Sequence, residues 1–431
     1  MVSNQNTTLM SEEFLQYIWK FRLFQNKVFT SQNGETVEIL SPGEQNFNSG
    51  PDFINTRIKI NGVTWAGCSE VHKKASDWQR HNHHLDKAYD NTILHVVEEH
   101  DTDIKNSAGQ TIPFIELKYD SALLEKYKNL VSVSTNIPCK SCLPKIERIE
   151  LQQWLTKLMV ERLEKRTDEI LQILNFTNNH WEEAFYIMLC RNLGFKVNAE
   201  PFEMLARSLP LQILAKHKNN LIQLEALLLG QAGLLSDKPA DEYCSQLATE
   251  YNFLKKKYQL ISLQKQVWKF MRLRPANFPT IRLAQLASLI NNSSSLFSKL
   301  IEAEDIKQIE GLFNTSTSAY WENHYTLGKT SPASPKKLSK ESIDLLTINT
   351  IIPFLFVYGR ERKILHLQDK AFQLAEAISA EKNSIIAAWK KYGAKVSNAF
   401  ESQALLQLYN HYCTKQKCLH CTIGHWYLTK F

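Results

Sequence analysis

The chain has 431 residues, of which 43% are hydrophobic, 22% charged and 10% aromatic. Those are globular values that exclude wholesale disorder and predict two or three domains. Its 14 Gly and 13 Pro exclude a collagen-like or linker-dominated chain, and eight Cys are too few for a disulfide scaffold. The net charge of +7 is uneven: residues 1–145 carry 15 basic and 17 acidic side chains, the remainder 36 and 27. A basic remainder is compatible with a polyanion partner, and equally with an ordinary helical domain. No run approaches 18 apolar residues and residues 1–10 are polar. A membrane span, a membrane partner and a secretory signal are therefore not expected, and the expected location is the cytoplasm.

In chain order, residues 12–30 read as an amphipathic helix with Phe14, Ile18, Phe21 and Leu23 as its apolar positions. Residues 36–40, 53–60, 63–72, 92–99 and 111–118 are short β-rich runs. Asn61-Gly62 suits a two-residue type I′ hairpin turn, whose central residues both need positive φ. Residues 76–90 read as a short helix capped by Ser76 or Asp77. From residue 146 the spacing turns helical, as at Leu151, Trp154, Leu155 and Leu158. Further helices are predicted at 180–193, 200–208, 219–235, 240–257, 280–291, 296–311, 341–357, 366–391 and 396–412. The expected fold class is α+β: a small N-terminal mixed β-sheet domain with flanking helices over 1–133, a connection over 134–145, and a large all-helical basic domain over 146–431.

The informative stretch runs from Gly50-Pro51-Asp52-Phe53 to Glu70-Val71-His72-Lys73-Lys74. With Asn61-Gly62 as the turn, Ile58 faces Trp65 and Ile60 faces Val63. Ile54 and Val71 join that apolar face, while Asn55, Arg57, Lys59, Glu70 and His72 line the other. Asp52 then falls beside Glu70 and Val71 at the open end of the hairpin. Strict alternation sets Asp52 on the face opposite Glu70, so a bulge or strand end near Pro51 must turn it inward. Two carboxylates at one point suit a hard divalent cation such as Mg²⁺ or Mn²⁺, which takes oxygen ligands and activates water beside a phosphodiester. His72 or Lys74 would orient that water or share developing charge. The same residues also suit an ordinary charged surface hairpin.

Six of the 13 His, namely His72, His81, His83, His84, His95 and His100, lie within 29 residues. Transition-metal ligation, or phosphate contact with proton transfer, would account for the clustering. So would a mixture of exposed and hydrogen-bonded core histidines. Cys139-Lys-Ser-Cys142 and Cys413-x₄-Cys418-x₂-Cys421 are two thiol clusters. They suit a structural zinc site or, less well, an iron–sulfur cluster, and are also compatible with unliganded thiols. Arg272, Arg274 and Arg282 lie in an aromatic-rich segment and are candidates for nucleic-acid contact, or for bonds to helix C-termini. There is no GxxxxGK[ST], GxGxxG after a strand, HExxH or GxSxG, which disfavours nucleotide hydrolysis and dinucleotide redox chemistry.

The spacing of Pro51-Asp52 and Glu70-Val71-His72 resembles the PD-(D/E)xK nuclease superfamily, which is restriction-endonuclease-like in fold. The resemblance covers about 100 residues and also includes the order helix–strand–hairpin–helix–strand. It implies Asp52 and Glu70 as metal ligands and an added acidic residue from the first helix or loop, for which Glu44 is the candidate; His95, from the histidine cluster, is a further candidate for the same site. His72 stands where that superfamily has Lys, with Lys74 two residues on. The runs GPDFINTRIKI, WAGCSEVHKKASDW and KCLHCTIG further resemble a bacterial family known as domain of unknown function 2851, from about residue 10 to the end, which implies a soluble, cytoplasmic bacterial protein and leaves the activity to be read from the residues. The expected function is metal-dependent hydrolysis of nucleic acid. The alternatives are a non-catalytic nucleic-acid- or protein-binding module with a degenerate nuclease-like fold, and a zinc-binding structural protein.

Overall fold

The computed structural model describes residues 11–26, 28–31, 34–132, 137–293 and 295–431. The polar residues 1–10 and residues 134–136 of the expected connection lie outside them. The chain divides into two compact units, one of residues 1–151 with 408–431, the other of residues 152–407. The expected boundary is thus corrected: the C-terminal segment does not close the helical domain. It belongs to the first unit because Leu419 and Leu428 are buried in that unit's core.

The first unit is built on a mixed seven-stranded sheet. Its strands are β1 (Val28–Thr30), β2 (Thr36–Ser41), β3 (Glu44–Gln45), β4 (Phe53–Ile60), β5 (Val63–Lys74), β6 (Thr92–Glu99) and β7 (Phe114–Glu116). The order is β1-β2-β4-β5-β6-β7, with β3 paired to β4. Pairing is antiparallel up to β5, then parallel for β5–β6 and β6–β7. Asn61 and Gly62 take φ of 47° and 89°, as the β4–β5 turn requires.

Helix α1 (Glu12–Lys20) covers one face of this sheet. Phe14, Leu15, Ile18 and Trp19 pack on Phe53, Ile58, Val71, Leu94, Val96 and Ile115. The helix is shorter than its periodicity predicts because Arg22 turns left-handed (φ 52°) and Leu23 N–H closes back on the Ile18 carbonyl. On the other face, Ala75, Trp78, Tyr89, Val97, Ile104 and Ile112 form a second, smaller core. The segment over this face is not the single helix expected for 76–90. Helix α2 is one turn (Asp77–Arg80), Asn82 turns left-handed (φ 64°), and two 3₁₀ turns follow at His83–Leu85 and Lys87–Tyr89.

The second unit is helical apart from a hairpin of His324–Thr326 with Lys329–Thr330, which departs from the all-helical expectation. Two long predicted helices are each broken by an internal cap. Asp305 accepts the Gln308 N–H, separating Leu296–Glu302 from Ile306–Phe313. Asn383 accepts the Ile386 N–H, separating Leu365–Ala377 from Ser384–Lys391. Residues Lys340–Glu361 form the one helical stretch among the described residues long and apolar enough to cross a membrane. Its apolar window is 78% buried, so within this unit it is a core element.

Candidate functional site

The site begins with one extra residue. From Ile60↔Val63 back to Thr56↔Gly67 the hairpin keeps the expected register, but the next pair is Phe53↔Ser69. Ile54 and Asn55 together oppose Cys68, and Asn55 takes a left-handed φ of 59°. This is a β-bulge, and it inverts the faces of everything upstream. Ile54, expected on the apolar face, is exposed, while Phe53 is buried. Continuing the shifted register sets Asp52 opposite Glu70, so the two acids share a face. Beside the bulge, Gly43 (φ 89°) must be glycine, since a Cβ there would come within 2.4 Å of the Ile54 carbonyl oxygen.

Two bonds tie Asp52 to the Glu70-Val71 segment. Asp52 N–H donates to Glu70 Oε2 at 2.8 Å, and Val71 N–H donates to Asp52 Oδ2 at 3.1 Å. Burial, and after it the charge of Glu70, pushes the Asp52 carboxyl up to about 7. Glu12, the first residue of α1, lies within electrostatic range of Glu70, His81, Asp77 and Arg80, and burial raises its carboxyl. Gln16, one turn further along α1, hydrogen-bonds the Asp52 side chain.

Glu70 is 5% exposed, His72 1% and His95 0%. Parallel pairing sets Glu70 beside His95, and His72 lies one step further on the same face. His72 Nδ1 is 2.8 Å from His95 Nε2, and His72 Nε2 is 3.2 Å from His81 Nδ1. Glu70 Oε1 lies 3.6 Å from His72 Nε2 and 3.3 Å from His83 Nε2. Burial first, then the neighbouring imidazoles, holds His72 down to about 2. Burial likewise holds His95 down to about 3. Both rings are therefore neutral at pH 7. His83 stacks on Tyr89 (3.9 Å between centroids) and meets Trp78 edge-on.

Asp52, Glu70, His72 and His95 are thus brought together, with His81 and His83 added. Lys74 is not brought to them. Two residues past His72 the strand reaches solvent, and the Lys74 ammonium sits 3.0 Å from Glu99 with both side chains more than half exposed. Glu44 is exposed on β3 and joins no described contact at the site. The acidic side chain contributed by the first helix is Glu12 instead. Its position just inside the helix N-terminus, beside Glu13, is what the sequence offered as a signal. Two cluster histidines lie elsewhere in their contacts: His100 stacks on Phe114 and pairs with Asp103, and His84 meets none of the ligand-type groups above.

The thiols of Cys139, Cys413, Cys418 and Cys421 line one small cavity in the first unit, with Gly424 at its wall. A Cβ on Gly424 would come within 2.0 Å of the Cys418 carbonyl oxygen, so glycine is needed for the helix Thr422–Lys430 to approach. Cys142 is outside this lining but adjoins it: its side chain is hydrogen-bonded to that of Cys139, and its thiol lies 3.1 Å from the Cys139 carbonyl, to which it can donate. Burial, then Cys421 and Cys418, raises the Cys413 thiol.

In the second unit Arg272 and Arg274 are exposed. Arg282 is 3% exposed and donates to Gln285, Asn277 and Ser342, with its guanidinium over Phe195. The expectation of nucleic-acid contact at Arg282 is corrected by its burial: its two terminal nitrogens donate inside the fold, and Nε is buried without a hydrogen-bond partner among the described residues. A cavity of about 320 Å³ in this unit is lined largely by apolar side chains. Its Glu183 carboxylate accepts the Leu211 N–H, and His180, Glu182 and Lys218 also line it.

Fold and site together define an α+β protein with a cluster of imidazoles and carboxylates of metal-ligating type on the inner strands of its sheet. The chain belongs to the family described as Protein of unknown function (DUF2851), whose model matches residues 12–384. Comparison with curated proteins and with solved structures finds no match.

Proposed function

We propose that the first unit is a metal-dependent phosphodiesterase acting on nucleic acid in the cytoplasm. The observation that carries this reading is the bulge at Asn55, with Asp52 and Glu70 on one face and Asp52 bonded to the Glu70-Val71 segment. The donor set fits a hard divalent cation such as Mg²⁺ or Mn²⁺. Asp52, Glu70 and Glu12 are neighbouring oxygen donors, burial first and then the charge of Glu70 raising Asp52, and among the described residues no lysine or arginine touches Asp52 or Glu70. Arg80, the nearby guanidinium, is paired with Asp77 at 2.9 Å. Asp52 and Glu70, with Glu12 behind them, would hold the ion. When bound, it would supply Lewis-acid polarisation of a phosphoryl oxygen and activation of water. Gln16 and the Val71 N–H fix the Asp52 carboxylate. His72, neutral and held by His95, is suited to orient a water or a phosphate oxygen rather than to supply charge. The order α1, β2, β4–β5 hairpin, α2, β6 supports a restriction-endonuclease-like core. The exposed Arg272 and Arg274, and the basic excess after residue 145, support a polyanionic substrate. None of the eight cysteines is in a disulfide, which suits a reducing compartment.

The cavity-lining Cys139, Cys413, Cys418 and Cys421 are suited to a structural zinc ion, with an iron–sulfur cluster as the alternative occupant. Elemental analysis of protein purified without chelator separates the two.

A non-catalytic nucleic-acid- or protein-binding module is the second reading, favoured by the engagement of Lys74 with Glu99 and by neutral His72 in the place of a lysine. Incubation of the full chain with Mg²⁺ or Mn²⁺ and labelled single- and double-stranded DNA and RNA decides between them. The enzyme reading predicts cutting that falls more than about a hundredfold in both Asp52→Asn and Glu70→Gln. Salt-sensitive binding without cutting favours the module.

A further inference from the structure

We propose that His72, His81, His83 and Glu70 form a four-ligand site for a zinc-class transition-metal ion, which shares the Glu70 carboxylate with the oxygen site at Asp52. The argument is one of edge lengths. An ion with bonds of about 2.0–2.1 Å in tetrahedral coordination has ligand–ligand edges of roughly 3.3–3.4 Å. In the fold, His81 Nδ1 to His72 Nε2 is 3.2 Å, His83 Nε2 to Glu70 Oε1 is 3.3 Å, and His72 Nε2 to Glu70 Oε1 is 3.6 Å. The three histidines each offer a ring nitrogen within 4.8 Å of the others. A carboxylate oxygen joins them, giving three imidazole nitrogens and one oxygen, a donor set of the kind imidazole-preferring metals take.

The chain is shaped for this convergence. On a continued helix His81 and His83, two residues apart, would point in different directions. The left-handed Asn82 between them breaks the helix, and both rings return to His72. An outer layer holds the donors in place. His95 Nε2 is 2.8 Å from His72 Nδ1, and Tyr89 stacks on His83. With a metal on His72 Nε2, the His72 proton must sit on Nδ1 and be donated to His95 Nε2. That fixes the ring, as outer-layer partners do in metal sites. His95 Nδ1 then keeps the His95 proton, and it has no hydrogen-bond partner among the described residues. The two oxygens of Glu70 divide the labour: Oε1 faces the imidazoles and Oε2 takes the Asp52 N–H. This site stands whether or not the protein cuts nucleic acid.

The test is a titration of the chelator-stripped full chain with Co²⁺ alone, followed by displacement with Zn²⁺. A nitrogen- and oxygen-ligated ion gives visible d–d bands without the near-ultraviolet thiolate charge transfer that binding at the cysteines would add. The proposal predicts one equivalent of this thiolate-free signal. His81→Ala, at an exposed position, weakens it more than about a hundredfold, and His81→Ala with His83→Gln removes it, while Cys418→Ser leaves it in place. Circular dichroism of each variant monitors the fold, and His81→Ala remains decisive if the double variant is unstable. Absence of a thiolate-free signal in the unaltered chain overturns the proposal. So does the same signal and affinity in the folded His81→Ala protein.

Discussion

Asn55 offers the sharpest lever on the site, because a single left-handed residue sets which face Asp52 occupies. A β-branched side chain at φ 59° meets the carbonyl clash that costs about 1–2 kcal/mol per residue, whereas glycine has no Cβ to clash. Asn55→Val therefore weakens the β4–β5 ladder by about 1–2 kcal/mol, and Asn55→Gly changes it by a few tenths at most. Hydrogen exchange read by mass spectrometry on peptides from Phe53–Ile60 and Val63–Lys74 converts this to about 5–30-fold faster local exchange in the valine protein. The same substitution favours the unbulged register, in which Asp52 would face Val71 instead of Glu70. Divalent-cation affinity should fall with it in Asn55→Val and persist in Asn55→Gly. Equal exchange and equal cation affinity in the two variants would refute the bulge argument.

Glu12→Gln removes a carboxylate from the site at its rim and should lower Mn²⁺ affinity by roughly tenfold in calorimetry, with no comparable effect from Glu44→Gln. Cation binding should weaken as pH falls through about 7, where Asp52 takes up a proton, and Asp52→Asn should flatten that dependence. In the metal-free chain, Asp52 is raised above its unfolded value, so its contribution to stability is present below about pH 4 and lost as pH rises towards 7. His72 and His95 are depressed, so their contribution is present above about pH 6.5 and lost as pH falls. Between about pH 4 and 6.5 the two histidines and Asp52 therefore act in opposite directions, and Asp52→Asn should make stability rise more steeply with pH in urea unfolding. Arg282→Ala leaves Gln285, Asn277 and Ser342 without a shared donor and should destabilise the second unit by more than about 2 kcal/mol. Arg272→Ala should instead leave stability unchanged and reduce the salt dependence of nucleic-acid binding.

Local patterns that depend on near neighbours were legible in the sequence. The Asn61-Gly62 turn, the strands at 53–60 and 92–99 and the first turn of α1 all follow from propensity and alternation. What escaped was set by single backbone events. Asn55 and Asn82 are left-handed asparagines that any loop or strand end tolerates, so neither announces itself. Yet Asn55 inverts the face of Asp52, and Asn82 turns a predicted helix into a bend that brings His81 and His83 to His72. The requirement for a bulge was visible from alternation, but its place, at Ile54-Asn55 rather than Pro51, was not. Glu12 was hidden for another reason. It joins the site only because α1 packs across the sheet, a long-range relation that helical periodicity does not encode. The C-terminal segment is helical as expected, but which unit it joins escaped similarly, since Leu419 and Leu428 fill a core begun four hundred residues earlier, around Phe14 and Ile18.

The most direct examination of the proposed chemistry is a cleavage assay on labelled DNA and RNA with Mn²⁺, comparing the unaltered chain with Asp52→Asn and Glu70→Gln. Both variants should remain folded and lose cutting together by more than about a hundredfold. Cutting that survives in either folded variant, or a metal-supplemented chain that binds nucleic acid without ever cutting it, would contradict a shared cation at Asp52 and Glu70 as the working centre.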